Sequence, residues 1–137
     1  MDLNFSISEL IKSDTAKKYN INNTPDIKSI DNLLLLIFHI LQPVRNKFGK
    51  IKVTSGFRSV ALNQKVGGEI ASNHLFGCAA DIIPLESTFK KVYNYITTYL
   101  DYDECFIEQN KKTKTKWLHV AFRNGGNRKK HNSELLV

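Results

Sequence analysis

Covalent bracing and membrane signals are both scarce in this chain. Its two cysteines, Cys78 and Cys105, are too few for a disulfide framework and lack the close pairing of a thiolate metal site. They are expected to be small, reduced packing residues. The longest apolar run, Leu33 to Phe38, is far too short to span a bilayer, so membrane insertion is not expected. Met1 to Phe5 carries neither a basic segment nor an apolar stretch, which predicts synthesis in the cytoplasm without a secretory signal. There is no internal repeat and no low-complexity tract, and with three prolines and seven glycines in 137 residues no flexible linker divides the chain. One domain over residues 1–137 is expected, with 124–137 as a loosely packed tail, and a monomer.

What is present is ordinary for a globular core: 42% hydrophobic and 24% charged residues, enough to bury a single core. The balance of charge is less ordinary. A net charge of +7 and a pI near 9.4 favour an anionic partner. Much of the excess lies in two clusters, Lys111 to Lys116 and Arg123 to Lys130. No zinc finger, RNA-binding aromatic signature or basic zipper accompanies them, so nucleic acid is not the expected partner, whereas anionic wall polymers remain candidates.

Local signals give an α+β order. Ser6 to Glu9 reads as a capping box opening a short helix, and Asp14 to Tyr19 as another. Thr24-Pro25 predicts a helix start with Thr24 as the cap, continuing through Ile30, Leu33, Leu34, Ile37, Phe38 and Leu41 on one buried face. Pro43 should kink or restart that helix, and Gly49 should end it. Ile51 to Ser55 alternates as a strand, Ser59 can cap a short helix, and Ala79 to Ile83 makes a second strand. A helix beginning at Ser87-Thr88 precedes a hairpin of Glu104 to Gln109 and Trp117 to Arg123. The expected fold is a small, mainly antiparallel sheet with helices packed on one face.

The chain is organised around Ser72 to Asp81, Ser-Asn-His-Leu-Phe-Gly-Cys-Ala-Ala-Asp. His74 and Asp81 lie in it, and His119 lies far downstream in Trp-Leu-His-Val. Two imidazoles and one carboxylate form a set that binds Zn2+ and leaves a position open, as catalytic rather than structural zinc sites do. Strand parity puts Cys105, Ile107, Leu118, Val120 and Phe122 on the apolar face of the hairpin. Glu108, Glu104 and His119 therefore share the other face.

These residues, together with Ser55-Gly56-Phe57-Arg58-Ser59, Leu62-Asn63, Val66-Gly67-Gly68 and Gly125-Gly126-Asn127-Arg128, resemble the zinc D-alanyl-D-alanine carboxypeptidase family. That family includes bacteriophage endolysins and shares its fold with the zinc-binding hedgehog signalling domain. The resemblance implies hydrolysis of peptide bonds in peptidoglycan stem peptides, as a carboxypeptidase or an endopeptidase. It implies His74, Asp81 and His119 as zinc ligands, Arg58 as a substrate-facing and catalytic guanidinium, and Ser72 as a substrate contact or an organiser of the metal loop. Many relatives carry an acidic base three residues before the last histidine, where this chain has Lys116. Small phage-type members carry a Glu on the preceding strand, and Glu108 matches it, with Glu104 in reserve. The alternative is a zinc-stabilised binding or structural module with little activity. A substrate outside the membrane, approached by a chain without a leader, implies delivery by lysis or by a virion.

Overall fold

The computed structural model describes residues 3–137; Met1 and Asp2, part of the leaderless start inferred from sequence, lie outside the described residues. Two short helices, α1 (Ile7–Ile11) and α2 (Asp14–Lys18), begin the chain. Each is capped by a serine: Ser6 Oγ accepts from the Glu9 N–H, and Ser13 Oγ from that of Ala16. The long helix follows as α3 (Ile27–Leu36), a π-helical turn over Ile37–Leu41, and α4 (Gln42–Phe48).

Two details of this helix differ from the sequence reading. Its cap is Asp26, whose carboxylate accepts from the Ser29 N–H at 2.8 Å, and not Thr24. An ionised acceptor serves a helix N-terminus better than a hydroxyl because it also meets the positive end of the dipole. The buried face is also displaced: Leu33, Leu36, Ile37, Ile40, Leu41 and Val44 are buried, while Leu34 and Phe38 remain exposed. The wider π turn lets the chain pass Pro43 without breaking, and α4 begins with that proline in its first turn. By length and composition alone, Ile27–Phe48 could cross a membrane, but its apolar face is spent on the core. Gly49 ends it at φ 84°.

Beyond it come β1 (Ile51–Ser55), α5 (Val60–Lys65), a 3-10 turn (Asn73–Phe76), β2 (Ala79–Pro84), α6 (Phe89–Tyr99), β3 (Glu104–Gln109), β4 (Lys116–Ala121) and β5 (Lys130–Leu136). The strands form one sheet in the order β1-β2-β4-β3-β5. All pairings are antiparallel except β3 with β5, which is parallel. The expected loose tail is therefore corrected: residues 130–136 add an edge strand alongside β3, from Glu104↔Lys130 to Gln109↔Leu136. Its polar, solvent-facing composition concealed it, because parallel pairing is fixed by a distant partner and not by local pattern.

The two faces of the sheet divide the labour. Ala80 and Ile82 of β2, Cys105 and Ile107 of β3, and Leu118 and Val120 of β4 join the long helix and α6 in one core. Burying each of the valine, leucine and isoleucine side chains among these contributes roughly 1.5–3 kcal/mol. Both cysteines are buried and free, and burial pushes the Cys105 thiol up to about 12. On the opposite face, the alternate residues Asp81, Glu104, Phe106, Glu108, Trp117 and His119 line a cleft of about 860 Å³.

Candidate active site

His74 sits on the 3-10 turn, where Ser72 acts as cap and accepts from the His74 N–H at 3.2 Å. Gly77 closes the turn at φ 73°. A side chain there would collide with the Ser29 carbonyl oxygen, so the turn lies tight on α3. Asp81 of β2 stands directly opposite His119 of β4. Turn and strands thus deliver all three buried side chains to one point, each offering one donor atom within 4.8 Å of the others. His74 Nε2 is 3.4 Å and His119 Nδ1 is 3.0 Å from Asp81 Oδ1.

The outer hydrogen bonds fix which nitrogen faces inward. His74 Nδ1 lies 2.7 Å from the Gly56 carbonyl oxygen, which can only accept, so Nδ1 carries the hydrogen and the Nε2 lone pair points at the cluster. His119 Nε2 lies 3.0 Å from Glu104 Oε1, an arrangement that directs Nδ1 inward. Two imidazole nitrogens therefore converge on a carboxylate oxygen, and something positive must lie between them.

Without a cation that role falls to a proton. Burial disfavours a charged His119, but its hydrogen bonds to Asp81 and Glu104 outweigh this and raise its pKa to about 10. Burial would likewise lift the Asp81 carboxyl, yet His74 and His119 hold it well below the carboxylate range. Zn2+ fits the same place. Donor atoms at about 2.0–2.1 Å from a tetrahedral zinc stand about 3.3 Å apart, close to the separations found. Anchoring each imidazole through its other nitrogen is also how metal-binding histidines are oriented.

Around this cluster, Arg58 donates from Nε to Ser55 Oγ at 3.1 Å, from Nη1 to Asn63 Oδ1 at 3.3 Å and from Nη2 to Asp81 Oδ2 at 3.4 Å. Burial pushes its pKa down, with Asp81 and Glu108 opposing. Glu108 Oε1 is 3.8 Å from His119 Nδ1, on the inward side. Its pKa is raised by burial, against the pull of His119. Glu104 is occupied instead on the outward nitrogen, and also accepts from Asn73 Nδ2 at 2.6 Å. Burial works to raise its pKa, but the bond to His119 prevails and holds it low. Lys116 is exposed at the start of β4.

The six residues singled out from sequence, Arg58, Ser72, His74, Asp81, Glu108 and His119, all line the one cleft. Sequence reasoning missed Asn73, Asp103 and Arg128, which brace Glu104 and the loop beyond β4. The acidic pair Asp103-Glu104 at a strand start was the available signal, and Asp103 proves fully buried.

The peptidase M15 family profile matches residues 3–121. The chain belongs to that family. No curated protein sequence matches it. The match spans every helix and strand that places the three ligands, and leaves out β5. Family and buried His-Asp-His cluster together make the protein a zinc metallopeptidase that hydrolyses peptidoglycan-type substrates.

Proposed function

We propose that the protein cleaves stem peptides of peptidoglycan, with Glu108 as the general base. The observation that supports this most is the division of labour between the two glutamates. Glu104 is engaged on the Nε2 of His119, whereas Glu108 approaches Nδ1 from within the cleft with its affinity for a proton raised. A carboxylate so placed can take a proton from attacking water and return it to the leaving amine. Zinc in the cluster supplies Lewis acidity to the scissile carbonyl and makes water more acidic. Arg58, already held by Ser55, Asn63 and Asp81, is a fixed positive charge for the oxyanion or for a terminal carboxylate. Ser72 sits at the cleft wall, where its hydroxyl can contact substrate while it caps the turn of His74.

A basic surface that holds the enzyme on anionic wall polymers completes this reading, along with action on the wall after lysis or virion delivery, as in the phage-type members it resembles. Digestion of purified muropeptides with zinc, read by mass spectrometry, tests the reaction and identifies the bond. Intact peptides after incubation with zinc-loaded protein would refute it. Wall pull-down should weaken as salt rises, and retention unaffected by salt would refute the role of the surface charge.

A further inference from the structure

The cleft carries a second cationic group, on the far side of His119 from Glu108. Asp103, just before β3, has a side chain with no exposure, and it gathers donors from three residues. Arg128 spends its fork there, with Nε 2.9 Å from Oδ1 and Nη2 2.7 Å from Oδ2, and its backbone N–H donates to Oδ1 at 3.0 Å. Asn73 Nδ2 donates to Oδ2 at 2.9 Å. Arg123 is held differently. Only its Nε is engaged, 3.2 Å from Asp103 Oδ2 and 3.3 Å from Asn73 Oδ1. Among the described residues neither of its terminal nitrogens has a partner, and the side chain is 40% exposed at the cleft.

The backbone of Arg123 is pinned as well. Its N–H donates to Asn127 Oδ1 at 2.8 Å, and its carbonyl oxygen accepts from Asn127 Nδ2 at 3.0 Å. A guanidinium steered by a buried carboxylate, with its outer edge unspent, is preset for planar recognition of a second carboxylate. Position along the sheet says where that carboxylate would lie. Glu108 faces Trp117 and Glu104 faces Ala121, with His119 between them. Arg123 follows Ala121, so the base and this guanidinium flank the metal cluster from opposite directions.

We propose that Arg123 binds a substrate carboxylate and selects acidic peptides, with Asp103 as its positioning residue. The inference rests on the peptidase reading for its substrate class, since it concerns the same cleft. A peptide lying along β4 advances about 3.3 Å per residue. A carboxylate within a few residues of the scissile bond, on the side away from Glu108, would therefore come within reach of Arg123.

The test uses the zinc-loaded protein and the pentapeptide L-Ala–γ-D-Glu–L-Lys–D-Ala–D-Ala. Two derivatives accompany it, one amidated at the internal carboxylate and one at the C-terminal carboxylate. Kd is measured by calorimetry in the Glu108→Gln background, which keeps the peptides intact, and kcat/KM is measured in the parent. One of the two amidations should weaken binding by about tenfold, and Arg123→Gln should become indifferent to that same amidation. Arg123→Lys keeps a charge that can serve Asp103 or the ligand but not both, so it should lose most of the preference and supplies a second variant if Arg123→Gln folds poorly. The proposal is overturned if the parent binds all three peptides equally, or if every preference the parent shows survives unchanged in Arg123→Gln, or in Arg123→Lys where Arg123→Gln does not fold. Loss of the preference without any peptide cleavage would uphold Arg123 and count only against the peptidase reading.

Discussion

Glu104 Oε1 and His119 Nε2 are 3.0 Å apart, on the edge of the ring that faces away from the metal cluster. Glu108 approaches the other edge of the same ring. One imidazole thus separates two carboxylates that strand parity alone could not tell apart, and it gives them different work.

Exchanging each for glutamine should show that difference. Glu108→Gln should retain zinc and lower hydrolysis by about 10²–10⁴-fold. Glu104→Gln should instead weaken zinc affinity by about 10–100-fold, because it loosens the anchor of a ligand. Zinc titration alongside muropeptide turnover separates the two. Equal loss of zinc in both variants would reverse the assignment.

Removal of His119 should go further. His119→Ala leaves His74 and Asp81 as donors, and metal content measured after dialysis should fall to background with activity lost. Lys116→Ala should change neither, since Lys116 is exposed and the proton acceptor is placed at Glu108. Loss of turnover in Lys116→Ala with zinc retained would contradict that placement.

Chelation should destabilise the fold as well as silence it. Zinc at about 100 times its Kd stabilises the folded chain by about 2.7 kcal/mol, so the thermal midpoint should drop by several degrees on chelation and return with added zinc. An unchanged midpoint would mean that the cluster does not bind the ion.

Asp103 should show in acid. Burial would raise its pKa, but hydrogen bonds from Arg128 and Asn73 and the charge of Arg123 hold it down at about 2, against an ordinary 3.8. A pKa lowered by folding stabilises the native state above the ordinary value, and that contribution is lost as pH falls through the folded one. Asp103→Asn should therefore be less stable by about 2–3 kcal/mol at neutral pH, the worth of that lowering. The gap should close as pH falls from about 4 to about 2 in denaturant titrations, and a gap independent of pH would exclude this account.

Much of the site was legible because it depends on residue type and a period of two. His74, Asp81 and His119 announce themselves by their donors, and the alternation of β3 and β4 placed Glu108 on their face. The helix start was misplaced by one turn-forming pair, since Thr24-Pro25 and Asp26 both offer a cap and the ionised carboxylate of Asp26 is the better acceptor for the Ser29 N–H. Leu34 and Phe38 were assigned inward because the run Leu33 to Phe38 is apolar on every side, and hydrophobicity alone does not say which side of such a run faces the core. β5 left no local pattern, because its partner is distant in sequence; for Asp103 the acidic pair with Glu104 was the one local signal, and its distant partner Arg128 could not be read from it.

Viewed as a polymer, the metal site is a clasp on a long loop. Asp81 and His119 are 38 residues apart, and α6, β3 and the lysine-bearing turn all lie between them. An ion shared by the two ends closes that loop and restricts the unfolded chain, much as a disulfide would. It does so without thiol oxidation, leaving Cys78 and Cys105 free inside the core. The same atoms that perform chemistry would then also tie the chain, and resistance to proteolysis should follow zinc occupancy even in a variant that turns over nothing.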